Sequence, residues 1–140
     1  MNHASYSDDY LRGIFARVKT IAMVGASPRA DRPSNHVMAF LQRQGFRVIP
    51  VNPQAAGETI HGEKVVAALG DIVEPVDMVD IFRRSEQVAP VVDEAIAKGA
   101  KIVWMQLGVR DDKAAAKAEA AGLDVVMNRC PAIEIPRLGL

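Results

Sequence analysis

A short apolar run ends at Gly25 and two small residues, and this stretch has the residue types of a phosphate-binding loop. The run of residues 20–24 is followed by Gly25, Ala26 and Ser27, and a helical pattern opens at Ser34. Loop amides and a helix dipole both favour an anion where a buried strand feeds such a loop. We predict that this loop, with Ser34 at the helix start, holds the diphosphate of a nucleotide-type cofactor. We also expect a side chain at Gly25 to impair binding more than folding.

Two pairs of arginines are candidate phosphate ligands, because a guanidinium binds phosphate with charge-assisted hydrogen bonds. Arg29 and Arg32 follow the loop, and Arg83 and Arg84 follow the third predicted strand. We expect Arg32 to be the ligand from the first pair. One of the second pair faces the ligand, because successive residues of an extended chain point to opposite sides. A solvated surface charge is the alternative for each of them.

Other candidate contacts follow the predicted strands at the same edge of the sheet, where a fold of this kind binds its ligand. They are Val51, Asn52, Pro53, Phe82, Gln106 and Cys130. Val51, Pro53 and Phe82 are open to two interpretations, ordinary core or an apolar clamp for an adenine ring. Trp104, inside the fourth predicted strand, is favoured as core.

The elements that position these residues follow from the spacing of apolar side chains and from capping and glycine-stop residues. The predicted strands span residues 20–24, 46–51, 76–82, 101–105 and 124–127. Helices are predicted within residues 1–19 and over 34–44, 85–98 and 111–121. Residues 53–63 are predicted as a loop, 64–69 as a short helix and 128–140 as an extended strap.

Strands that alternate with helices indicate a parallel sheet with helices on both faces, joined by right-handed crossovers. We therefore predict an α/β fold, a single Rossmann-like three-layer domain over residues 1–140, in which residues 1–19 form a preliminary N-terminal helix. Its five-stranded parallel sheet is expected in the order 3-2-1-4-5.

Composition excludes several classes of protein. The 140 residues include 17 Lys plus Arg and 17 Asp plus Glu, and a net charge near zero argues against a dedicated nucleic-acid-binding protein. One cysteine cannot form an intrachain disulfide, and the polar N-terminus lacks an apolar signal region. No apolar run approaches the ~20 residues that span a bilayer. We expect a cytoplasmic domain with a small-molecule ligand and neither nucleic acid nor membrane as partner; homo-oligomerisation stays open.

NAD is the obvious ligand of this fold, but the sequence departs from the NAD-binding fingerprint at two points. The three glycine positions of G-x-G-x-x-G hold Gly25, Ser27 and Ala30, so only the first is glycine. The acid that bonds the ribose hydroxyls after the second strand is absent, because Asn52 and Pro53 stand there. A P-loop is excluded as well, since its lysine motif does not occur.

Five short motifs, in this order and spacing, resemble those of the small stand-alone CoA-binding-domain proteins. They are Gly25-Ala26-Ser27 with Arg32-Pro33-Ser34-Asn35, Val51-Asn52-Pro53, Val79-Asp80-Ile81-Phe82-Arg83-Arg84-Ser85, Val103-Trp104-Met105-Gln106-Leu107-Gly108 and Asn128-Arg129-Cys130-Pro131. The chain is also similar to the N-terminal domain of the succinyl-CoA synthetase α-subunit, which has an Asn, a Cys and a Pro near its fifth strand. The resemblance implies that coenzyme A or an acyl-CoA binds at the strand ends, and it implies no established reaction.

Two classes of function stay open. One is a CoA-binding or regulatory module without chemistry of its own, and the other is an enzyme that acts on acyl-CoA or uses NAD(P). The synthetase relays phosphate through a histidine on a second domain, for which we expect no counterpart in this chain. We expect His3 in a mobile tail, and His3, His36 and His61 have no obvious carboxylate partner. The lack of an identifiable base, nucleophile–base pair or metal-ligand set favours the first class.

Cys130 has two interpretations. A free cysteine is most often a buried, inert small residue. Alternatively, with the diphosphate of coenzyme A held at the first strand, the cofactor thiol would extend along the edge towards Cys130. A mixed disulfide is then favoured over acyl transfer, and Arg129 next door would favour the thiolate.

Overall fold

The computed structural model describes residues 1–140, in which a parallel sheet is flanked by helices on both faces. The helices are α1 (Asp8–Arg17), α2 (Pro33–Arg43), α3 (Val88–Lys98), α4 (Asp112–Ala120) and α5 (Pro131–Arg137). The strands are β1 (Thr20–Val24), β2 (Arg47–Val51), β3 (Thr59–Ile60), β4 (Glu63–Lys64), β5 (Met78–Ile81), β6 (Ile102–Met105) and β7 (Asp124–Val126). All strands except β3 and β4 form one parallel sheet in the order β2-β1-β5-β6-β7. The predicted α/β Rossmann-like fold is confirmed.

The predicted strand order is wrong, because β5 pairs with β1 and the five main strands stand in the order 2-1-3-4-5 instead of 3-2-1-4-5. Val66 occupies the outer side of β2, where the predicted order puts strand three. Its N–H donates to Pro50 O at 3.0 Å, and its C=O accepts from Asn52 N at 2.9 Å. Asp77 then fixes the start of β5 beside β1, since its carboxylate accepts from the Thr20 N–H at 2.9 Å.

Residues 53–69 contain a β-hairpin instead of the predicted loop and short helix. A 3-10 turn at Pro53–Ala55 precedes it, and β3 pairs antiparallel with β4. His61 and Gly62 form the turn with φ angles of 47° and 84°, as a two-residue type I′ turn requires. Ile60 and Val65 are each 2% exposed, so burial of two apolar side chains holds the hairpin against the domain.

The C-terminal segment forms helix α5 instead of the predicted extended strap. Pro131 occupies the first helical position, where a missing N–H is tolerated, and Pro136 lies in the last turn. Ile135 and Leu138 are buried in the core, three residues apart on one helix face. Their burial outweighs the two prolines that made the segment look non-helical.

The N-terminal segment is attached to the sheet, so the expectation of a mobile His3 without a carboxylate partner is wrong. His3 is 9% exposed, with Nδ1 2.7 Å from the Tyr6 hydroxyl and Nε2 2.8 Å from Glu119 Oε1. The hydroxyls of Tyr6 and Tyr10 form hydrogen bonds with the backbone of β7 and the residue after it.

Two buried clusters pack on opposite faces of the sheet. One contains side chains of α1, α2 and α5, and the other contains side chains of α3 and α4. Trp104 is fully buried in the first cluster, where its indole N–H donates to Arg129 O at 2.8 Å, and its prediction as core is confirmed. None of the helices has the length and apolar content that a membrane span needs.

Candidate functional site

The carboxyl ends of β1 and β5 meet where successive connections leave the sheet in opposite directions, which is where open α/β sheets bind ligands. Gly25 directly follows β1, and Phe82 directly follows β5. The Gly25 N–H donates to Val51 O at 2.8 Å, and the Phe82 N–H donates to Val24 O at 2.8 Å. These bonds extend the sheet by one residue and bring the two segments that leave it into contact.

Gly25 is glycine because of the Phe82 backbone. Its φ of +89° lies in the left-handed region, and a Cβ on this residue would lie 2.1 Å from Phe82 O. The Phe82 backbone cannot retreat without losing its hydrogen bond to β1. A side chain at Gly25 is therefore expected to disturb the fold before it meets a bound phosphate, which reverses the expectation from the sequence.

Neutral side chains hold the loop at Ala26 and Ser27 in one conformation. Ser34 Oγ accepts from the Ser27 N–H at 3.1 Å, and Asn35 Nδ2 donates to Ser27 O at 3.1 Å. From the end of β2, Asn52 Nδ2 donates to Ala26 O at 2.8 Å. These bonds tie the loop backbone to α2 and to β2, so the loop is preorganised before any ligand binds.

A cavity of about 540 Å³ opens beside this loop, and only two of its 13 lining residues are hydrophobic. The start of α2 forms part of the wall, with Arg32 as N-cap, Pro33 in the first turn and no acidic residue there. The Ser34 N–H has no acceptor within the chain. Free N–H groups at a helix N-terminus favour an anion. The lining residues are Gly25, Ser27, Pro28, Arg29, Arg32, Pro33, Ser34, Asn52, Gln54, Ala55, Glu58, Phe82 and Arg83.

Positive charge predominates in the wall of this cavity. Arg29 is paired with Asp31 at 3.0 Å, with both side chains exposed. Arg32 and Arg83 form no ion pair, and Glu58 is the one acidic lining residue. Two guanidiniums are therefore free to bind a ligand, and they outnumber the one carboxylate of the wall.

A second cavity of about 590 Å³ adjoins the first and shares Pro33, Phe82 and Arg83 with it. We call the two together the groove, and its parts the polar half and the apolar half. Arg84 lies at the rim of the apolar half, with its side chain 77% exposed and 3.6 Å from Glu86. The remaining lining residues of the apolar half are Val37, Gln87, Gln106, Leu107, Gly108, Val109 and Cys130.

An acid lies beneath the apolar half. Asp80 is fully buried in β5, and its Oδ1 accepts from Gln106 Nε2 at 2.8 Å. Its other oxygen, Oδ2, has no hydrogen-bond partner. Burial raises the pKa of the Asp80 carboxyl to about 7, and the bond from Gln106 opposes this shift.

Cys130 lines the apolar half with 7% of its surface exposed. Burial raises the pKa of its thiol above the usual value, and the charges of Asp80 and Glu134 raise it further. The Arg129 guanidinium lies 5.3 Å from the ring centroid of Tyr6 and donates to Asn128 O. The expectation that Arg129 favours the thiolate is therefore wrong, and the thiol form predominates at neutral pH.

The structure brings most of the predicted contacts together. Gly25, Ser27, Arg32, Ser34, Asn52, Phe82, Arg83, Arg84, Gln106 and Cys130 line the groove. Ala26 and Val51 are buried beneath it, 1% and 3% exposed, and Pro53 begins a surface 3-10 turn outside the lining. Of the three residues considered for an adenine clamp, only Phe82 faces the groove.

Several lining residues were missed by reasoning from sequence. Leu107 and Val109 lie just beyond Gln106 in the connection that leaves β6, so the rule that found Gln106 could have found them too. Gln54 and Glu58 lie on the segment that contains the hairpin, and the fold of this segment was not predicted from the sequence. Val37 faces the groove from the first turns of α2 and looked like core from its spacing.

None of the three histidines lines the groove. His36 is exposed on α2, and His3 bonds to Glu119 of α4. His61 lies in the hairpin turn, and its Nε2 is 2.8 Å from Asn35 Oδ1. Because Asn35 also holds the Ser27 carbonyl, His61 supports the loop from behind.

Known proteins share this arrangement of elements. A family model described as the CoA binding domain matches residues 19–136. The Bacillus subtilis protein YneT is 38% identical over 120 residues, which are 86% of this chain and 87% of that protein. A solved structure of a hypothetical protein from Pyrococcus horikoshii superposes with a TM-score of 0.91 at 38% identity, covering 100% of both chains.

A larger protein also matches. Acetate–CoA ligase (ADP-forming) II of Archaeoglobus fulgidus is 33% identical over 98 residues, which are 69% of this chain and 14% of that ligase. The similarity is therefore to one segment of the ligase. The family resemblance inferred from the five sequence motifs is confirmed.

Proposed function

Because the chain belongs to the CoA-binding domain family, we propose that it binds coenzyme A or an acyl-CoA in the groove, as a binding or regulatory module without chemistry of its own. The observation that carries the proposal is the difference in character between the two adjoining cavities of the groove. The polar half has two unpaired arginines and a helix N-terminus, and the apolar half has hydrophobic walls and one buried amide.

The polar half suits the charged end of coenzyme A. That end carries a diphosphate and a 3′-phosphate, which need several cationic or N–H donors. The loop of Gly25, Ala26 and Ser27 and the start of α2 supply N–H groups, and Arg32 and Arg83 supply guanidiniums. Phe82, which lines both halves, offers a ring face for the adenine.

The apolar half suits the pantetheine arm, whose carbon chain is interrupted by amides. Val37, Leu107 and Val109 offer apolar contact along it, and Gln106 offers a polar one. The arm's thiol, free or acylated, then lies towards Cys130. The raised pKa of the Cys130 thiol and the absence of a histidine from the groove support a binding role over a catalytic one.

Thermal unfolding with a panel of ligands tests the proposal, because a ligand that binds the folded state raises Tm according to its concentration over Kd. We expect coenzyme A and acetyl-CoA to raise Tm at millimolar concentration, and NAD, NADP and ATP to raise it less. Equal or greater stabilisation by NAD would contradict the proposal, as would no response to coenzyme A in a protein that unfolds cooperatively.

A further inference from the structure

The floor of the apolar half contains a buried carboxylate that the fold itself does not need. Asp80 is fully buried, and its neighbours across the sheet, Met23 and Trp104, are equally buried. One carboxylate oxygen bonds to Gln106, and the other has no partner. Burying an incompletely paired carboxylate opposes folding, so an uncharged residue of similar size would serve stability better.

The chemistry of the pair fixes which atom of Gln106 faces the groove. An ionised carboxylate only accepts hydrogen bonds, so the Gln106 amide must present Nε2 to Asp80 at 2.8 Å. The carbonyl oxygen Oε1 then points the other way. It accepts no hydrogen bond within the chain, and Asp80 Oδ2 is the one fully buried side-chain polar atom without a partner. Gln106 Oε1 is therefore accessible from the groove that Gln106 lines.

We propose that Asp80 is a positioning residue that acts through Gln106, fixing a hydrogen-bond acceptor in the apolar half that binds an N–H or O–H donor on the flexible arm of the ligand. The inference rests on the proposed function and deepens it. Pantetheine carries two amide N–H groups and a hydroxyl along an otherwise apolar chain. An acceptor at this position discriminates between that arm and a purely hydrocarbon chain, because a chain without a donor leaves Gln106 Oε1 unpaired.

Ionisation of Asp80 strengthens this positioning. The pKa of its carboxyl lies at about 7, so the charged acceptor for Gln106 Nε2 becomes fully formed as the pH rises through neutrality. The strand neighbours of Asp80, Met23 and Trp104, do not titrate. Cys130, directly before α5, is a titratable group that interacts with Asp80, because the charge of Asp80 raises the pKa of the Cys130 thiol. The guanidiniums of Arg83 and Arg84 line the same cavity.

Calorimetric titration with two ligands tests the role of Gln106. Coenzyme A has the pantetheine arm, whereas adenosine 3′,5′-bisphosphate retains phosphates and adenine without it. Gln106→Met keeps the length of the side chain and removes the acceptor. It should lower the affinity for coenzyme A about five-fold, the equivalent of one neutral hydrogen bond, and leave the affinity for the bisphosphate unchanged. Gln44→Met, the same change at the exposed far end of α2, is the control.

Asp80→Asn tests the positioning step with a readout that a purely structural role would not move. The affinity of wild-type protein for coenzyme A should rise between pH 6 and pH 8 relative to Asp80→Asn, whose side chain does not titrate in that range. Titration of the ligand phosphates affects both proteins alike and cancels in the ratio. Cys130→Ser removes the titratable thiol nearest to this pair, so loss of the pH dependence in that variant would assign it to the thiol and overturn the role of Asp80.

Each outcome decides the inference. The inference is supported if Gln106→Met loses affinity for coenzyme A but not for the bisphosphate, and if the affinity of Asp80→Asn depends less on pH than that of the wild type. Equal loss for both ligands indicates damage to the whole groove and overturns it, as does unchanged affinity for coenzyme A. Parallel pH profiles of wild type and Asp80→Asn overturn the positioning role. If wild-type protein binds the bisphosphate but not coenzyme A, or binds neither, the proposed function itself fails and the inference falls with it.

Discussion

The polar and apolar halves of the groove are held in place by different means. In the polar half, backbone contacts and neutral side chains such as Asn35 and Asn52 order the loop, and every bond also serves the fold. In the apolar half, a buried acid orients Gln106 and opposes folding. The contacts that order the loop of the polar half thus serve folding and binding together, whereas Asp80 in the apolar half serves binding and opposes folding. Substitutions in the two halves should therefore move stability and affinity in different combinations.

The largest effect is expected at Gly25, where the polar half and the fold share one backbone contact. Gly25→Val combines left-handed strain of roughly 1–3 kcal/mol with a collision against Phe82 O. We expect a loss of more than about 3 kcal/mol in the free energy of unfolding, measured by urea denaturation. Gly122→Ala is the matched control, because φ there is also positive, at +92°, and a Cβ meets nothing within 4 Å. A Gly25→Val variant that is as stable as the control would contradict this explanation of the glycine.

Replacement of Asp80 should have the opposite effect on stability to replacement of Gly25, because the buried carboxylate opposes folding. Its carboxyl has a pKa of about 7 in the folded protein, above its ordinary value of 3.8, so the folded state binds more protons than the unfolded state between these pH values. Stability contributed by this group therefore falls as the pH rises through this window, by at most about 1.4 kcal/mol per pH unit, and levels off above pH 7. Asp80→Asn lacks this loss.

The measurement is urea unfolding of both proteins from pH 4 to pH 8. The stability of Asp80→Asn relative to wild type should increase up to about pH 7, whereas its affinity for coenzyme A declines. If the difference in stability between the two proteins is constant across this range, the pKa of Asp80 is not raised by its burial in the folded protein.

The arginines of the polar half should affect binding with little effect on folding. Charge-assisted hydrogen bonds contribute about 1.5–3 kcal/mol, so Arg32→Ala and Arg83→Ala should each weaken coenzyme A by roughly tenfold or more. Arg43→Ala, at the exposed opposite end of α2, is the control for loss of a positive charge. Titration with 3′-dephospho-coenzyme A identifies which arginine binds the 3′-phosphate, since that variant loses its defect with this ligand. Two variants with wild-type affinity would remove both arginines from the site.

The smallest effect is expected at Cys130. Because burial and nearby carboxyl groups raise the pKa of the thiol, its attack on oxidised coenzyme A, which would release one coenzyme A thiol and leave a mixed disulfide, should be slow at pH 7. Intact-mass measurement should find little adduct at pH 7 and more at pH 9, with none in Cys130→Ser. Rapid, complete modification at pH 7 would show that the thiolate is stabilised in solution.

Sequence reasoning succeeded where one local rule decides the outcome. Ser7 and Asp111 cap their helices, and Gly99 ends α3 in the left-handed conformation, as the capping rules predict. Residues after the strands line the groove because parallel strands end at a common edge. Most of the candidate contacts could therefore be found without coordinates.

It failed where long-range contacts decide. The strand order depends on Val66, which lies on the outer side of β2 and forms two backbone hydrogen bonds there. No local sequence pattern predicts these bonds. The hairpin turn uses His61 and Gly62 instead of the more usual Asn-Gly. Asp80 gave no signal because its role requires Gln106, which is 26 positions away and directly follows the neighbouring strand.

The contacts of Val66 and of the N-terminal tyrosines have a consequence for self-association. On one side of the sheet, Val66 bonds to Pro50 O and Asn52 N at the carboxyl end of β2, and Pro50 itself has no N–H to donate. On the other side, the hydroxyls of Tyr6 and Tyr10 occupy the outward groups of Val125 and Met127. Both borders are thus blocked over part of their length for an added strand, which opposes edge-to-edge aggregation. We therefore expect copies of this chain that associate to do so through helices or loops rather than by pairing the edges of two sheets.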